Sequence, residues 1–164
     1  MKVGIISDTH DHHRNVLKAI EVFNREKVDY ILHAGDIVSP FTAATFGQVK
    51  DAKFIAVFGN NDGEKLFLKT TIENFGGEIH ENSYTGQVGG KRIFMTHRLS
   101  VLNEVAESGK FDLVIYGHTH RKDIHKIGNT LVINPGEATD WLTDESNVVI
   151  LELDDMKCEI ISLI

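Results

Sequence analysis

The sequence predicts a mixed α/β (α+β) fold, a two-sheet β-sandwich flanked by helices in an αββα arrangement. Three observations carry that prediction. The first half alternates short apolar runs with helical spacing, and the second half is rich in short strands joined by turns. Several apolar runs also end abruptly in glycine and polar residues, as buried strands do. Two stacked sheets with helices outside accommodate both halves.

Taken in order, Val3-Gly4-Ile5-Ile6 is the first buried strand and runs into Asp8-Thr9-His10. From Arg14 to Glu26, Val16, Leu17, Ile20 and Phe23 recur at helical spacing. Tyr30-Ile31-Leu32 is the second strand, ending through His33-Ala34 at Gly35-Asp36. Ser39-Pro40 starts a helix, with a hydroxyl at the N-cap and proline at the first helical position. Lys53 to Phe58 is the third strand and precedes Gly59-Asn60-Asn61-Asp62. Glu64 to Phe75 reads as a helix halted by Gly76-Gly77. Tyr84 to Val88 and Lys91 to Thr96 flank Gly89-Gly90 as a hairpin. Ser100 is placed to cap a short helix through Glu107, with Gly109 after it. Asp112 to Tyr116 leads into Gly117-His118-Thr119-His120. The remainder reads as short antiparallel strands: Asp123 to Ile127, a Gly128-Asn129 turn, Thr130 to Asn134, Asn147 to Leu153, and Lys157 to Leu163.

The 164 residues suit a single domain spanning 1–164 with its own core. A net charge of −7 argues against a long nucleic-acid duplex as partner, because no surplus of cations replaces its counterions. Bound divalent cations would reverse the local field, so a small phosphate ester stays open as substrate. No apolar stretch has the length of a membrane span, and Lys2-Val3-Gly4-Ile5 has no leader character. Cys158 is the only cysteine, which excludes an internal disulfide and fits a reducing cytoplasm. The apolar segment Cys158 to Ile164 could pair at a sheet edge in a homodimer or be covered within the monomer.

Function is carried by what stands at the strand ends. Functional groups gather beyond the carboxyl ends of strands in open α/β sheets. Asp8, His10, Asp36, Asn60, His97, His118 and His120 all follow apolar runs directly. Oxygen and imidazole donors in that number suit divalent cations such as Mn²⁺, and two of them rather than one. Singly, each motif has a plain alternative. Asp-Thr-His and Gly-Asp can cap turns, and Gly-Asn-Asn-Asp-Gly is rich in turn residues. Two histidines one residue apart at Gly117-His118-Thr119-His120 are the hardest to explain as packing.

The series Asp-x-His, Gly-Asp, Gly-Asn-x-Asp, His, Gly-His-x-His resembles the calcineurin-like metallophosphoesterase superfamily, and especially its small bacterial and archaeal phosphodiesterases. The resemblance extends to Ile133-Asn134-Pro135-Gly136. It implies that Asp8, His10 and His120 hold one metal, that Asn60, His97 and His118 hold a second, and that Asp36 bridges them. It also implies Mn²⁺, with Ni²⁺, Zn²⁺, Fe²⁺ or Mg²⁺ as substitutes, and a catalytic role for Asp36, Asn60 and His97 through the metals and a bridging hydroxide.

The chain departs from the family pattern in two places. Asn61 stands where many members carry a histidine able to protonate the leaving group, and an amide cannot do so near neutral pH. Asp62 is placed to position Asn61 or a water. Arg98-Leu99 replaces the glycine and second histidine that follow His97 in similar proteins, and Arg98 could grip a phosphate oxygen or point to solvent. His12 and His13 could edge the substrate pocket but read first as ordinary loop residues, His33 reads as a packed or supporting residue, and Trp141 covers the core or walls the pocket, with packing the preferred reading. The expected activity is metal-dependent hydrolysis of a phosphate ester, foremost a diester. The alternatives are a phosphomonoesterase or nucleotide hydrolase, or a non-catalytic protein-binding scaffold of the same fold.

Overall fold

In the computed structural model, which describes residues 1–164, the chain forms two mixed sheets. The first contains β1 (Lys2–Ile6), β2 (Tyr30–His33), β3 (Lys53–Val57), β4 (Glu78–His80), β10 (Asn147–Glu152) and β11 (Lys157–Ser162), in the order β11-β10-β1-β2-β3-β4. The second contains β5 (Ser83–Val88), β6 (Lys91–Thr96), β7 (Leu113–Ile115), β8 (Lys122–Ile127) and β9 (Thr130–Pro135), in the order β5-β6-β7-β9-β8.

Alternation along the strands makes the layers. Ile5, Leu32, Ile55, Ile93, Met95, Leu113, Ile115 and Ile133 face the space between the sheets and form one buried cluster. Their neighbours Ile6, Ile31, Phe54 and Ala56 point the other way. There they pack under α1 (His13–Glu26), α2 (Pro40–Thr45) and α3 (Lys65–Asn74) through Val16, Phe23, Ala43, Leu68 and Ile72. On the far side, Val114, Tyr116 and Val132 pack against Ala106 of α4 (Leu102–Glu107). The four layers are helix, sheet, sheet, helix, as the sequence pattern predicts.

The registers explain where the polar strand ends meet. Parallel pairing sets Ile6 beside His33 and His33 beside Ala56. In the other sheet, Met95 lies beside Ile115 and Ile115 beside Ile133. The carboxyl ends of β1, β2, β3, β6, β7 and β9 therefore share one edge of the sandwich.

Several local expectations change. Strand β4 has one buried residue in three, too little periodicity to be seen in the sequence. Strand β9 pairs parallel with β7 as well as antiparallel with β8, so the second half is not wholly antiparallel. Ser39 caps α2 as expected, accepting from the Thr42 N–H at 3.4 Å. Ser100 caps nothing: α4 begins after Val101, which makes no side-chain cap. His12 stands in the loop but caps α1 by accepting the Asn15 N–H, and His13 is not a loop residue because it opens the helix. No helix is long and apolar enough to cross a membrane.

Candidate metal centre

At the shared edge, the loop after β1 brings Asp8 and His10, the loop after β2 brings Asp36, and the loop after β3 brings Asn60. From the second sheet come His97 after β6 and His118 and His120 after β7. The backbone there is unusual. Asp8 (φ 52°), His10 (φ 39°), Asp36 (φ 58°), His118 (φ 67°) and His120 (φ 61°) all adopt left-handed conformations that non-glycine residues rarely take. Strain of this kind persists only where surrounding contacts over-determine it. Here the Asp8 N–H donates to Gly35 O at 3.0 Å, His10 N–H to Asp36 O at 3.0 Å, and Gly117 N–H to His97 O at 3.1 Å. The two sheets are joined at the same place, because the His118 N–H donates to Asp8 Oδ2 at 3.1 Å and Ala138 N–H to Ser7 O at 3.2 Å.

The side-chain atoms converge without bonding one another well. His10 Nε2 is 3.7 Å from Asp8 Oδ1 and 3.5 Å from Asp36 Oδ2, and His120 Nε2 is 3.4 Å from Asp8 Oδ1. On the other side, His97 Nε2 is 3.3 Å from Asp36 Oδ2 and 3.1 Å from Asn60 Oδ1. The His118 ring stands 5.2 Å from that of His97. Two groups, Asp8-His10-His120 and Asp8-Asp36-His97, each offer donor atoms within 4.8 Å of one another. Asp8 Oδ1 and His10 Nε2 are buried with no hydrogen-bond partner at all, a costly arrangement unless a cation completes it. Donors about 2.1 Å from a shared cation stand roughly 3–3.5 Å apart, close to the 3.1 to 3.7 Å found. The residues fit a metal centre.

Supporting contacts set each donor's orientation. Glu137 is fully buried and accepts the His120 Nδ1–H at 2.9 Å. Its carboxylate also accepts from the Thr139 hydroxyl, from the Leu142 and Thr143 N–H groups at 2.9 and 2.8 Å, and from the Thr143 hydroxyl at 2.8 Å. Burial alone pushes its pKa up, but these bonds from Thr139, His120, Thr143 and Leu142 outweigh that and hold it at about 2. With Nδ1 protonated against Glu137, the His120 Nε2 lone pair faces the cluster. Ala34 O does the same for His97 Nδ1 at 2.8 Å.

Asp62 makes no hydrogen bond to Asn61. It is buried and accepts the N–H groups of Gly59 and Val38 at 2.6 Å and of Asp36 at 3.1 Å, pinning the β2 and β3 loops together. Asn61 instead donates its backbone N–H to Asp36 Oδ1 at 2.8 Å and its amide to Asp36 Oδ2 at 2.7 Å. Burial opposes ionisation of Asp36, yet His97 and Asn61 together hold its pKa well below the usual carboxylate range. Two glycines permit the crowding: a Cβ at Gly59 would strike Asp36 Oδ1, and one at Gly117 would strike Ser7 Oγ and lie 2.9 Å from Asp8 Oδ2.

Residues 1–156 match the calcineurin-like phosphoesterase superfamily domain. The chain belongs to the calcineurin-like phosphoesterase superfamily. It is 43% identical over 155 residues to a phosphodiesterase of Methanocaldococcus jannaschii, covering 93% of each chain. Its fold is similar to the solved structure of a novel archaeal phosphodiesterase, with a TM-score of 0.94 and 40% identity over 99% of both chains. The zinc complex of Vps29 from Entamoeba histolytica shares the fold at a TM-score of 0.72 and 21% identity, over the whole of both chains.

Around the donors of this phosphoesterase, a cleft of about 330 Å³ opens beside Asn60 and His97, with Lys65 and Arg98 among its walls. Arg98 is exposed, yet close enough that it joins burial in lowering the His118 pKa. His33 is packed beneath the site: its Nδ1 accepts the Gly35 N–H at 3.1 Å, and burial lowers its pKa to about 3, keeping the ring neutral. Trp141 is not core. It is 59% exposed, and its ring lies 6.1 Å from that of His10. Glu137 was missed in the sequence, although Ile133-Asn134-Pro135-Gly136-Glu137 repeats the pattern of apolar strand, glycine and carboxylate that marks Asp36.

Proposed function

We propose that this phosphoesterase is a phosphodiesterase that works with two divalent metal ions, preferably Mn²⁺. Asp8, His10 and His120 would hold one ion, Asn60, His97 and His118 the other, with Asp36 shared. The observation that carries the reading is the convergence of buried donor atoms, including the unpartnered Asp8 Oδ1 and His10 Nε2, at an edge built from both sheets. The mixed oxygen and imidazole set favours Mn²⁺ and admits Ni²⁺, Zn²⁺, Fe²⁺ or Mg²⁺. When bound, such ions acidify water and neutralise charge on phosphoryl oxygens.

The chain's own residues do the rest. Glu137 and the Ala34 carbonyl hold the His120 and His97 rings by their Nδ1 atoms, so that each Nε2 is aimed inward. Asn61 holds Asp36 by two hydrogen bonds and keeps both its oxygens turned to the site. Having no titratable proton, Asn61 gives a departing alcohol no acid catalysis. That favours esters whose alcohol leaves as a stable anion. Arg98, on the cleft wall beside His97, would contact a phosphate oxygen.

The test is hydrolysis of bis(4-nitrophenyl) phosphate by EDTA-stripped protein before and after Mn²⁺, beside 4-nitrophenyl phosphate. Restored diester turnover exceeding monoester turnover is expected, and Asp36→Ala should abolish it while the fold persists. A faster monoester would make the protein a phosphomonoesterase or nucleotide hydrolase. Silence on both esters with Mn²⁺ bound would favour the protein-binding scaffold. Two further parts of the reading rest on sequence character: a cytoplasmic location, from the single cysteine, and a homodimer paired through the edge strand β11, where Ile160 is exposed. Fractionation and a scattering mass test them.

A further inference from the structure

We propose that Trp141 is a stacking platform for a planar aromatic group, so that the natural substrates are nucleotide-type or aryl phosphodiesters. The inference rests on the phosphodiesterase reading and names the substrate class of that same site. More than half of the Trp141 side chain is open to solvent at 59% exposure. Its ring nevertheless lies 6.1 Å from the His10 ring and 5.8 Å from the His12 ring. His10 in turn stacks on His120 at 5.1 Å with the planes 25° apart. The indole therefore stands at the end of a row of rings that begins among the candidate metal donors.

An exposed apolar side chain alone means little, because most protein surfaces carry some. What distinguishes Trp141 is how firmly its backbone is held. Its N–H donates to Thr139 Oγ1 at 3.4 Å, and the next two N–H groups donate to Glu137 Oε1. Buried Asn15 donates to Thr139 O at 2.6 Å and to Ala138 O at 3.0 Å, tying the same segment to α1. Asp140, just before the tryptophan, has φ 113°, a value that non-glycine residues adopt only under constraint. The carboxylate that orients His120 thus also sets the distance between the indole and the donors.

A large ring held open beside a reaction centre can take a ligand ring at little cost in its own ordering, having only two side-chain torsions to fix. Every nucleobase offers a π-face, so the contact selects for a ring and not for one base. The cleft walled by Arg98 and Lys65 lies by Asn60 and His97, on the other side of the donors. The second arm of a diester has a place of its own there.

Trp141 is the only tryptophan, so intrinsic fluorescence reports on it without a label. The Mn²⁺-loaded full chain would be titrated with adenosine 5′-monophosphate and with ribose 5-phosphate, following fluorescence and calorimetric binding. Saturable quenching by the nucleotide alone is expected, with binding about tenfold tighter than ribose 5-phosphate, the size of one base–aromatic stack. Trp141→Ala should remove that difference, and Trp141→Phe should restore most of it. Equal binding of the two ligands, or an equal loss for both in Trp141→Ala, would overturn the inference and make the ring a cover for His10 and His12. Quenching by the nucleotide without any metal-stimulated diester turnover would overturn the diesterase reading and leave the platform standing. Diester turnover with no quenching and no nucleotide preference would do the reverse.

Discussion

Replacing Glu137 with glutamine changes one oxygen to nitrogen in a fully buried side chain that accepts five hydrogen bonds. Oε1 takes three of them, from Leu142 N, Thr143 N and Thr143 Oγ1. The amide oxygen is expected to stay there, because turning the NH₂ that way leaves the Leu142 and Thr143 N–H groups without an acceptor. Those three bonds then lose their charge assistance, at about 1 kcal/mol each, or about 3 kcal/mol in unfolding free energy. A loss of that size leaves an ordinary domain folded. At the other end the NH₂ faces His120 Nδ1 and forces that nitrogen to accept. The ring proton then moves to Nε2, the atom aimed at the metal donors. Such supporting changes typically cost 10–100-fold in metal affinity. Chelator-competition titration with Mn²⁺, run beside urea unfolding of the metal-free protein, separates the two effects. Metal affinity within twofold of the wild type, together with the expected stability loss, would refute the tautomer argument and leave Glu137 a packing element.

Three other outcomes follow from the same contacts. The Glu137 pKa is depressed from 4.5 to about 2, so its stabilisation is fully present above pH 4.5 and is lost as pH falls from there through about 2. Urea unfolding of the metal-free protein across that range should show a downward slope that Glu137→Gln flattens. Asp62→Ala strands the N–H groups of Gly59, Val38 and Asp36 and should cost about 3 kcal/mol in urea unfolding while weakening Mn²⁺ binding; a change below about 0.5 kcal/mol would sink the pinning role. Cys158 is half-buried and burial pushes its thiol up to about 11, so thiol-disulfide exchange with a chromogenic reagent at neutral pH should run at least about tenfold slower than in urea. Equal rates would contradict that environment.

The strands that build the site were legible because each is a short apolar run cut off by glycine and a polar group. Val3 to Ile6, Lys53 to Phe58 and Lys91 to Thr96 fall almost where the structure has them. Pairing was not legible, since β9 bonds parallel to β7 with β8 between them in the chain, and periodicity says nothing about partners. Asp8, His10, Asp36, Asn60, His97, His118 and His120 were readable as one set only because several strand ends carried donors together. Glu137 and Asp62 escaped because their work is done on backbone amides and a ring nitrogen, contacts that exist only once the loops have met. Packing was the preferred reading of Trp141, because nothing in the sequence shows that the hydrogen bonds at Glu137 hold its segment at the surface.

The donors are divided between the sheets, with Asp8, His10, Asp36 and Asn60 on one and His97, His118 and His120 on the other. Their geometry is therefore a gauge of how the two sheets sit on each other. A lost methylene at Ile115 or Ile133, in the apolar layer between them, leaves a void into which the sheets can slip. Such a slip would spread the distances between Asp8 and His120 or Asp36 and His97 while leaving every donor in place. Cation affinity is thus a property of the interior as much as of the rim, and substitutions that never touch the site can tune it.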